Sequence, residues 1–254
     1  MLVTRPAAQA DEWVQALRAQ AVDAVALPLI GIAAADDAAP VLKAWCGLDA
    51  WRLIVFVSPN AAEQFFAQRP AAGPATAWPP ALRAGSPGPG TTRVLVALGV
   101  PAAQIVAPAD DAAQFDSESL WAQLQRFDWR GARVLVVRGD GGREWLAETL
   151  RAAGAQVELL AAYRREPPQF DAAARATLDA AVAQPAAHAW LFSSSQAIDH
   201  LLDAVPPAVD WTRATAIATH PRIAERARRA GFGRVVAAQA SLAGVVACLQ
   251  SIAP

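Results

Sequence analysis

The sequence is poor in the side chains that form metal centres and disulfide frameworks. It contains only two cysteines, Cys46 and Cys248, and three histidines among 254 residues, and none of these stand at the spacing of metal ligands. Because the two cysteines lie far apart, we expect two buried free thiols in a reducing compartment. The composition argues against a disulfide framework and predicts a site without a metal.

An excess of charge and long apolar runs are also absent. The formal net charge is −1 and Lys43 is the single lysine, so no overall attraction to nucleic acid or an acidic membrane surface is expected. No apolar run approaches the ~18–20 residues that span a bilayer, and the N-terminus begins with a strand-like segment instead of a signal peptide. We expect a cytoplasmic monomer, in which an anionic ligand would bind where arginines and backbone amides converge.

What the sequence does contain is an internal repeat. Residues 2–27 match residues 135–160 at a constant offset, with Leu, Val, Arg and Ala at equivalent positions. The segment IVFVSPNAAEQFF from Ile54 matches WLFSSSQAIDHLL from Trp190, and GPGTT from Gly88 matches HPRIA from His220. Two copies of one α/β unit predict two similar lobes with a ligand cleft between them.

Short β-branched or Leu-rich runs alternate with Ala/Leu/Arg stretches of helical period. This alternation predicts an α/β fold of parallel strands with crossover helices, and strands apolar along their whole length predict sheets buried on both faces. We predict ten strands, five in each lobe, over residues 2–4, 24–28, 53–57, 82–86, 105–107, 134–137, 157–160, 189–192, 215–218 and 235–237. Helices are predicted over 9–20, 60–68, 91–98, 118–126, 144–153, 196–204 and 221–230. The irregular stretches 31–40 and 161–170 are the candidates for connections between the lobes.

Polar side chains cluster directly after the predicted strands, where open parallel sheets bind ligands. Each group precedes a helix, so free N–H groups and the helix dipole favour carboxylates or phosphates there. The residues concerned are Arg5, Ser58, Asn60, Arg138, Ser194 and His220. The alternatives are that the serines and Asn60 only cap helices, that Arg138 is a surface residue and that His220 makes a structural hydrogen bond. There is neither a nucleophile elbow nor a dinucleotide glycine motif.

Tyr163 is the only tyrosine in the chain, and Arg164 and Arg165 follow it directly. Neighbouring cations stabilise a phenolate and so make the hydroxyl a better proton donor. Tyr163 is therefore a candidate catalytic acid. The alternative is a tyrosine that packs at the junction of the lobes.

The motifs together resemble the uroporphyrinogen-III synthase family over nearly the whole chain. The matching segments are LVTRP at 2–6, LPLIGI at 27–32, FVSPNAAEQF at 56–65, GPGT at 88–91, LGV at 98–100, FDSESL at 115–120, 134–157, YRR at 163–165, LFSSSQAI at 191–198 and 218–232. The resemblance implies two flavodoxin-like lobes joined by a two-stranded connector. One lobe would be discontinuous, with residues 1–35 plus 168–254, and residues 36–167 would form the other.

The resemblance also implies a reaction. The substrate would be hydroxymethylbilane, a linear tetrapyrrole with eight carboxylates, which loses its terminal hydroxyl as water. Ring D then inverts through a spiro intermediate and uroporphyrinogen III forms, with no metal or other cofactor. Because closure without inversion occurs spontaneously, the enzyme has to steer geometry.

The same resemblance suggests roles for single residues. Tyr163 matches a tyrosine at the mouth of the cleft that helps the hydroxyl to depart, and Thr91 matches the threonine of the family's GPxT turn. The second turn reads His220-Pro221-Arg222-Ile223 where the family often has Gly-Pro-x-Thr, so His220 or Arg222 would contact a carboxylate instead. With Arg5, Ser58, Asn60, Arg138 and Ser194, these residues form the predicted substrate site.

Two other functions are compatible with the sequence. One is a non-enzymatic, two-lobed binding protein or regulator that takes a small polyanion. The other is a nucleotide-dependent transferase, which would need a phosphate-binding loop that the sequence lacks.

Overall fold

Strands and helices alternate along the chain in the computed structural model, which describes residues 1–71, 77–109 and 112–252. The strands are β1 (Leu2–Val3), β2 (Val25–Ala26), β3 (Gly31–Ala34), β4 (Leu53–Phe56), β5 (Arg83–Gly85), β6 (Ile105–Val106), β7 (Arg133–Gly139), β8 (Gln156–Glu166), β9 (Ala189–Phe192), β10 (Thr215–Ala218) and β11 (Arg234–Ala237). The helices are α1 (Ala7–Arg18), α2 (Ala39–Cys46), α3 (Pro59–Ala67), α4 (Pro89–Ala97), α5 (Ser117–Leu124), α6 (Trp145–Ala152), α7 (Ala172–Ala183), α8 (Ser195–Ala204), α9 (Pro221–Arg229) and α10 (Leu242–Ile252).

The chain divides into two compact units. Unit 1 comprises Met1–Gly31 and Glu166–Pro254, and unit 2 comprises Ile32–Arg165. The sheet of unit 1 has the strand order β11-β10-β9-β1-β2, and that of unit 2 has the order β3-β8-β7-β4-β5-β6. The pairs β1–β2, β1–β9, β9–β10, β10–β11, β4–β5, β4–β7, β5–β6 and β7–β8 are all parallel. The predicted α/β class, with parallel sheets and crossover helices, is confirmed.

The internal repeat is visible in the order of the strands. The repeat pairs β1 with β7, β2 with β8 and β4 with β9, and the strands after them pair β5 with β10 and β6 with β11. Each partner occupies the same place in its own sheet, so β11-β10-β9-β1-β2 corresponds to β6-β5-β4-β7-β8. Along the chain, β7 and β8 are the last strands of unit 2, whereas their equivalents β1 and β2 are the first strands of unit 1.

The prediction of five strands in each lobe is right for the sheet of unit 1 and wrong for that of unit 2. The sixth strand is β3, which lies in a stretch that we predicted to be irregular, and its neighbour β8 continues to Glu166 instead of ending at Leu160. The second half of β8 contains Tyr163 and two arginines, so it lacks the apolar run by which strands were predicted. Backbone pairing with neighbouring strands holds such a segment extended, and sequence patterns do not report that pairing.

Aromatic residues cluster in the core on one face of the unit 2 sheet. A smaller aromatic cluster lies in unit 1. In unit 2, Trp45 stacks on Phe65 with ring centroids 4.9 Å apart and donates its indole N–H to the Phe65 carbonyl at 2.8 Å. In unit 1, Trp211 stacks on Phe232 with centroids 5.0 Å apart, and Phe232 meets Phe192 edge to face. The first contact holds α2 against α3, and the second holds the segments around Trp211 and Phe232 against β9.

The two thiols lie in different surroundings, which corrects the prediction that both are buried. Cys248 is buried in α10, and that burial raises the pKa of its thiol. Cys46 is exposed at the last position of α2, a helix that we did not predict. Among the described residues, moreover, no helix is long and apolar enough to span a membrane.

Thiol labelling should therefore be biphasic. Since the thiolate is the reactive form, a chromogenic thiol reagent is expected to label one cysteine per chain at the rate of a small free thiol, and the second at least tenfold more slowly. Cys46→Ser should remove the fast phase, and denaturant should make both phases fast. Fast labelling that survives in Cys46→Ser would contradict the assignment.

Candidate active site

Three helices of unit 2 begin at one edge of its sheet. β4 leads into α3, β5 into α4 and β7 into α6, and because these strands are parallel their carboxyl ends lie together. The first backbone N–H groups of each helix lack intrahelical acceptors, and the dipole makes that end positive. We call this edge, with residues 57–60, 86–91 and 139–144, the unit 2 rim. It favours anions.

Ser58 is the N-cap of α3, so the predicted cap is present. Its Oγ accepts a hydrogen bond from the Ala61 backbone N–H at 3.2 Å. The same oxygen lies 3.1 Å from the hydroxyl of Tyr163. Ser58 as a residue is only partly buried, whereas Asn60, in the first turn of the same helix, is 8% exposed. Ser58 is thus the more accessible of the two predicted residues.

Tyr163 has no accessible surface. A strand irregularity brings Gly139 opposite Tyr163, and a Cβ on Gly139 would lie 3.1 Å from two atoms of the phenol ring. The absent side chain leaves room for the ring to lie against β7. The hydroxyl lies 3.1 Å from Ser58 Oγ and accepts a hydrogen bond from Arg165 Nη2 at 3.5 Å. The ring belongs to the core, and its hydroxyl is held by polar groups.

The turn after β5 is held together by residues that the sequence analysis did not single out. Ser86 is fully buried and donates its hydroxyl to the Gly88 carbonyl at 2.9 Å, and Thr92 donates to Ser86 Oγ at 2.9 Å. A Cβ on Gly88 would lie 2.9 Å from the Cβ of Phe115, so glycine lets Phe115 approach the turn. Thr91, the predicted residue, is 3% exposed in the first turn of α4. Thr91 and Thr92 are adjacent in sequence, and only the folded turn shows that Thr92 is the one that bonds to Ser86.

Arg138 follows the apolar part of β7 and binds its own loop. Its Nη2 donates to the Gly142 carbonyl at 2.7 Å and its Nη1 lies 3.2 Å from Glu144 Oε1. The residue is 9% exposed, so the alternative of a surface arginine is wrong. Arg143 pairs in the same loop with both carboxylate oxygens of Glu118, at 2.6 and 2.9 Å, and this pairing raises the pKa of the guanidinium. Both arginines therefore shape the rim loop.

Unit 1 has a corresponding edge, at which β1 leads into α1, β9 into α8 and β10 into α9. We call this edge, with residues 4–6, 193–195 and 219–221, the unit 1 rim. Ser194 caps α8 by accepting a hydrogen bond from the Gln196 N–H at 3.3 Å. Thr4 is buried and donates its hydroxyl to the Leu191 carbonyl at 2.7 Å.

Arg5 lies on the unit 1 rim at the position that the repeat makes equivalent to Arg138. Its guanidinium carbon is 4.2 Å from the centroid of the Trp13 ring in α1, so a cation–π contact fixes its direction. The residue is partly exposed. The repeat thus gives both rims an arginine, but each is held by different neighbours.

His220 caps α9 through its ring. Its Nδ1 accepts a hydrogen bond from the Arg222 backbone N–H at 3.1 Å, which confirms the structural interpretation of this residue. The neutral ring then carries its proton on Nε2, and that atom lies 3.5 Å from Arg222 Nη2. Two donors therefore stand side by side at the start of α9, where the dipole is positive.

The rim residues offer hydroxyls, guanidinium groups and backbone amides. In the part of the chain that the structure describes, no three His, Cys, Asp or Glu side chains converge in a group that could hold a metal ion. The chemistry available at the described rims is hydrogen bonding to anions and proton transfer from oxygen or nitrogen donors.

Comparison with known proteins gives the family. The family model described as "Uroporphyrinogen-III synthase HemD" matches residues 11–247. The chain belongs to the uroporphyrinogen-III synthase family. It is 32% identical over 176 residues to uroporphyrinogen-III synthase of Salmonella typhimurium and 30% identical over 178 residues to that of Escherichia coli, and each alignment covers 69% of both chains.

Solved structures agree at the level of the fold. A mutant uroporphyrinogen III synthase from the extremely thermophilic bacterium Thermus thermophilus superimposes with a TM-score of 0.60 at 17% identity, covering 98% of each chain. The synthetase from Helicobacter pylori gives a TM-score of 0.54 at 13% identity, covering 90% of this chain and 92% of the other. The resemblance to the uroporphyrinogen-III synthase family that the sequence motifs predicted is confirmed. Of the predicted site residues, only Arg5 precedes the matched range.

Proposed function

We propose that this protein cyclises hydroxymethylbilane to uroporphyrinogen III, with loss of water and inversion of ring D through a spiro intermediate. The observation that carries the proposal is the family match over residues 11–247, because proteins of this name are lyases of tetrapyrrole biosynthesis. The rims support it chemically, since hydroxymethylbilane is a polyanion and helix N-termini bind carboxylates.

The carboxylates are assigned to both rims. In unit 2 we assign Ser58, Asn60, Thr91 and Arg138, and in unit 1 we assign Arg5, Ser194, His220 and Arg222. A carboxylate at the start of α9 would accept hydrogen bonds from His220 Nε2 and Arg222 Nη2, whose 3.5 Å separation suits the two oxygens of one carboxylate.

Arg138 can serve two partners. A guanidinium has five N–H donors, and the loop contacts with Gly142 and Glu144 use two of them. The remaining donors allow a substrate carboxylate to bind without unfolding the loop. Tyr163 is assigned to the departure of the hydroxyl group.

We also propose a specific lobe architecture, oligomeric state and cellular location. We infer two flavodoxin-like lobes, because the strand order of unit 1 reads 2-1-3-4-5 when its strands are numbered along the chain. The pairing of β3 with β8 supports a two-stranded connector. The monomeric state and the cytoplasmic location stay predictions, and size-exclusion chromatography tests the former.

The product of the reaction tests the function. Purified protein incubated with freshly made hydroxymethylbilane should yield uroporphyrinogen III as the main isomer, because bound substrate closes after inversion faster than free substrate closes without it. Oxidation to the uroporphyrins and chromatographic separation of isomers I and III measures the ratio. Heat-denatured protein is the control and should give isomer I. Isomer I alone from native protein would contradict the proposal and favour a non-enzymatic binder.

A further inference from the structure

We propose that Ser58 is the residue that gives a proton to the departing hydroxyl group, and that Tyr163 supplies Ser58 with that proton from the buried side. This inference rests on the proposed function and changes the role of both residues. Ser58 becomes a catalytic residue, since it is the group that meets the substrate. Tyr163 becomes a positioning residue that acts through Ser58.

Burial separates the two hydroxyls. Tyr163 has no accessible surface, so its oxygen cannot touch a substrate in this conformation. Ser58 is partly exposed at the unit 2 rim, and its Oγ is 3.1 Å from the tyrosine oxygen. A proton can therefore leave Tyr163 only by way of a neighbour, and Ser58 is the hydrogen-bonded neighbour with accessible surface that can both accept and donate.

The directions of the hydrogen bonds follow from the donors available. Arg165 Nη2 can only donate, so the tyrosine oxygen accepts from it at 3.5 Å. The relay takes the tyrosine O–H as the donor of the 3.1 Å bond to Ser58, because Ser58 Oγ is the one acceptor recorded for that O–H among the described residues. The Ala61 backbone N–H also donates to Ser58 Oγ, at 3.2 Å. Both lone pairs of Ser58 Oγ are then in use. Its O–H remains to donate, and among the described residues no acceptor is recorded for it, so it is directed to a ligand or solvent.

The repeat provides an internal comparison. Ser194 is the equivalent cap in unit 1 and likewise accepts a backbone N–H. At the offset that relates residues 2–27 to 135–160, the position equivalent to Tyr163 is Ile30, and the position equivalent to Gly139 is Pro6. Helix capping accounts for a serine in both units. Capping does not explain why Tyr163 lies next to Ser58, or why Gly139 leaves room for the phenol ring.

The proton balance of the step is complete. The C–O bond of the terminal hydroxymethyl group breaks, and the oxygen leaves as water with the proton of Ser58. The proton of Tyr163 moves to Ser58 Oγ, and the phenolate that remains is stabilised by the Arg165 guanidinium. The bilane is left as an azafulvene-like cation, which is closed by attack of ring D. When the macrocycle is complete, a pyrrole carbon loses a proton, which returns through Ser58 to Tyr163.

Four variants test the relay. Ser58→Ala should lower kcat for uroporphyrinogen III formation at least about hundredfold with little change in KM, which is the size expected when a general acid is lost. Tyr163→Phe should also lower kcat, and the double variant should be no slower than Ser58→Ala, because residues of one relay are not additive. Ser58→Thr keeps the hydroxyl and should restore most of the rate. Asp171→Ala, which removes the cap of α7, controls for the loss of a cap and should retain activity.

A proton inventory separates a relay from a structural role. Rates measured in mixtures of H₂O and D₂O should curve downward for the wild type, in which two protons move together, and should become linear in Tyr163→Phe. Full kcat in Ser58→Ala, or multiplicative losses in the double variant, would overturn the relay while leaving the proposed function intact. Failure of the wild type to form isomer III would instead remove the proposed function.

Discussion

Replacing Gly233 by alanine is expected to lower the free energy of unfolding by about 3 kcal/mol or more, because the new methyl group has no space. A Cβ at this position would overlap the carbonyl oxygen of Thr212 and lie 2.6 Å from its carbonyl carbon. Both are backbone atoms, so no side chain can turn away. The Gly233 N–H also donates to the Trp211 carbonyl at 3.1 Å, which holds the two segments together.

Aromatic contacts hold the segment of Trp211 and Thr212 against that of Phe232 and Gly233, so moving the two segments apart would cost packing energy. Trp211 stacks on Phe232, next to Gly233, and meets Trp190 edge to face with centroids 5.7 Å apart. Relief of the clash would have to pull Trp211 out of this cluster. Thermal unfolding followed by circular dichroism should show a fall in Tm of roughly 6 °C or more.

Gly141→Ala is the matched control for Gly233→Ala. A Cβ at Gly141 meets nothing within 4 Å, and its φ is outside the left-handed region, so its Tm should stay within about 2 °C of the wild type. A Gly233→Ala protein as stable as the wild type would show that Thr212 does not approach Gly233 as described.

Gly139→Ala is expected to slow the formation of uroporphyrinogen III about tenfold or more while the protein remains folded. The added Cβ would lie 3.1 Å from two ring carbons of Tyr163 and 3.4 Å from its hydroxyl oxygen, closer than most real Cβ contacts. The ring is fully buried, so it must shift by a few tenths of an ångström. Its hydroxyl would then move relative to Ser58, and displacements of this order reduce rates when a proton has to be transferred.

The measurement separates chemistry from stability. We expect kcat to fall with little change in KM, and the far-ultraviolet circular dichroism spectrum to match that of the wild type. Gly47→Ala is the control, since its Cβ would make an ordinary contact at 3.6 Å with the Lys43 carbonyl, and its activity should be unchanged. Unaltered kcat in folded Gly139→Ala would contradict a role for the position of the phenol.

The strands that formed with the predicted bounds consist mainly of apolar side chains. Ala189–Phe192 and Thr215–Ala218 have the bounds that we predicted, because strands buried on both faces carry a continuous hydrophobic run. β3 was missed because Gly31–Ala34 is a short run of Gly, Ile and Ala, and β8 was predicted too short because its second half is polar. Pairing between distant segments makes them strands.

The candidate site residues likewise divide into those that a local sequence pattern predicts and those that it does not. Ser58 and Ser194 were found because a serine between a strand and a helix is a recognisable cap, and both caps are present. Thr92 was missed, because two adjacent threonines offer the same chemistry in sequence. Cys46 was misplaced because its helix was not predicted, and burial depends on which face of a helix meets the core.

The sequence by itself determined the α/β class, the two copies of one unit and the polar residues at the ends of strands, because periodicity and capping are local properties of the chain. Only the tertiary structure decided that the Tyr163 ring is buried against Gly139, that its hydroxyl meets Ser58 and that Arg138 binds its own loop. These contacts join segments that are distant in sequence or turn on the exact path of a loop. They depend on strand order, register and packing, which no local pattern encodes.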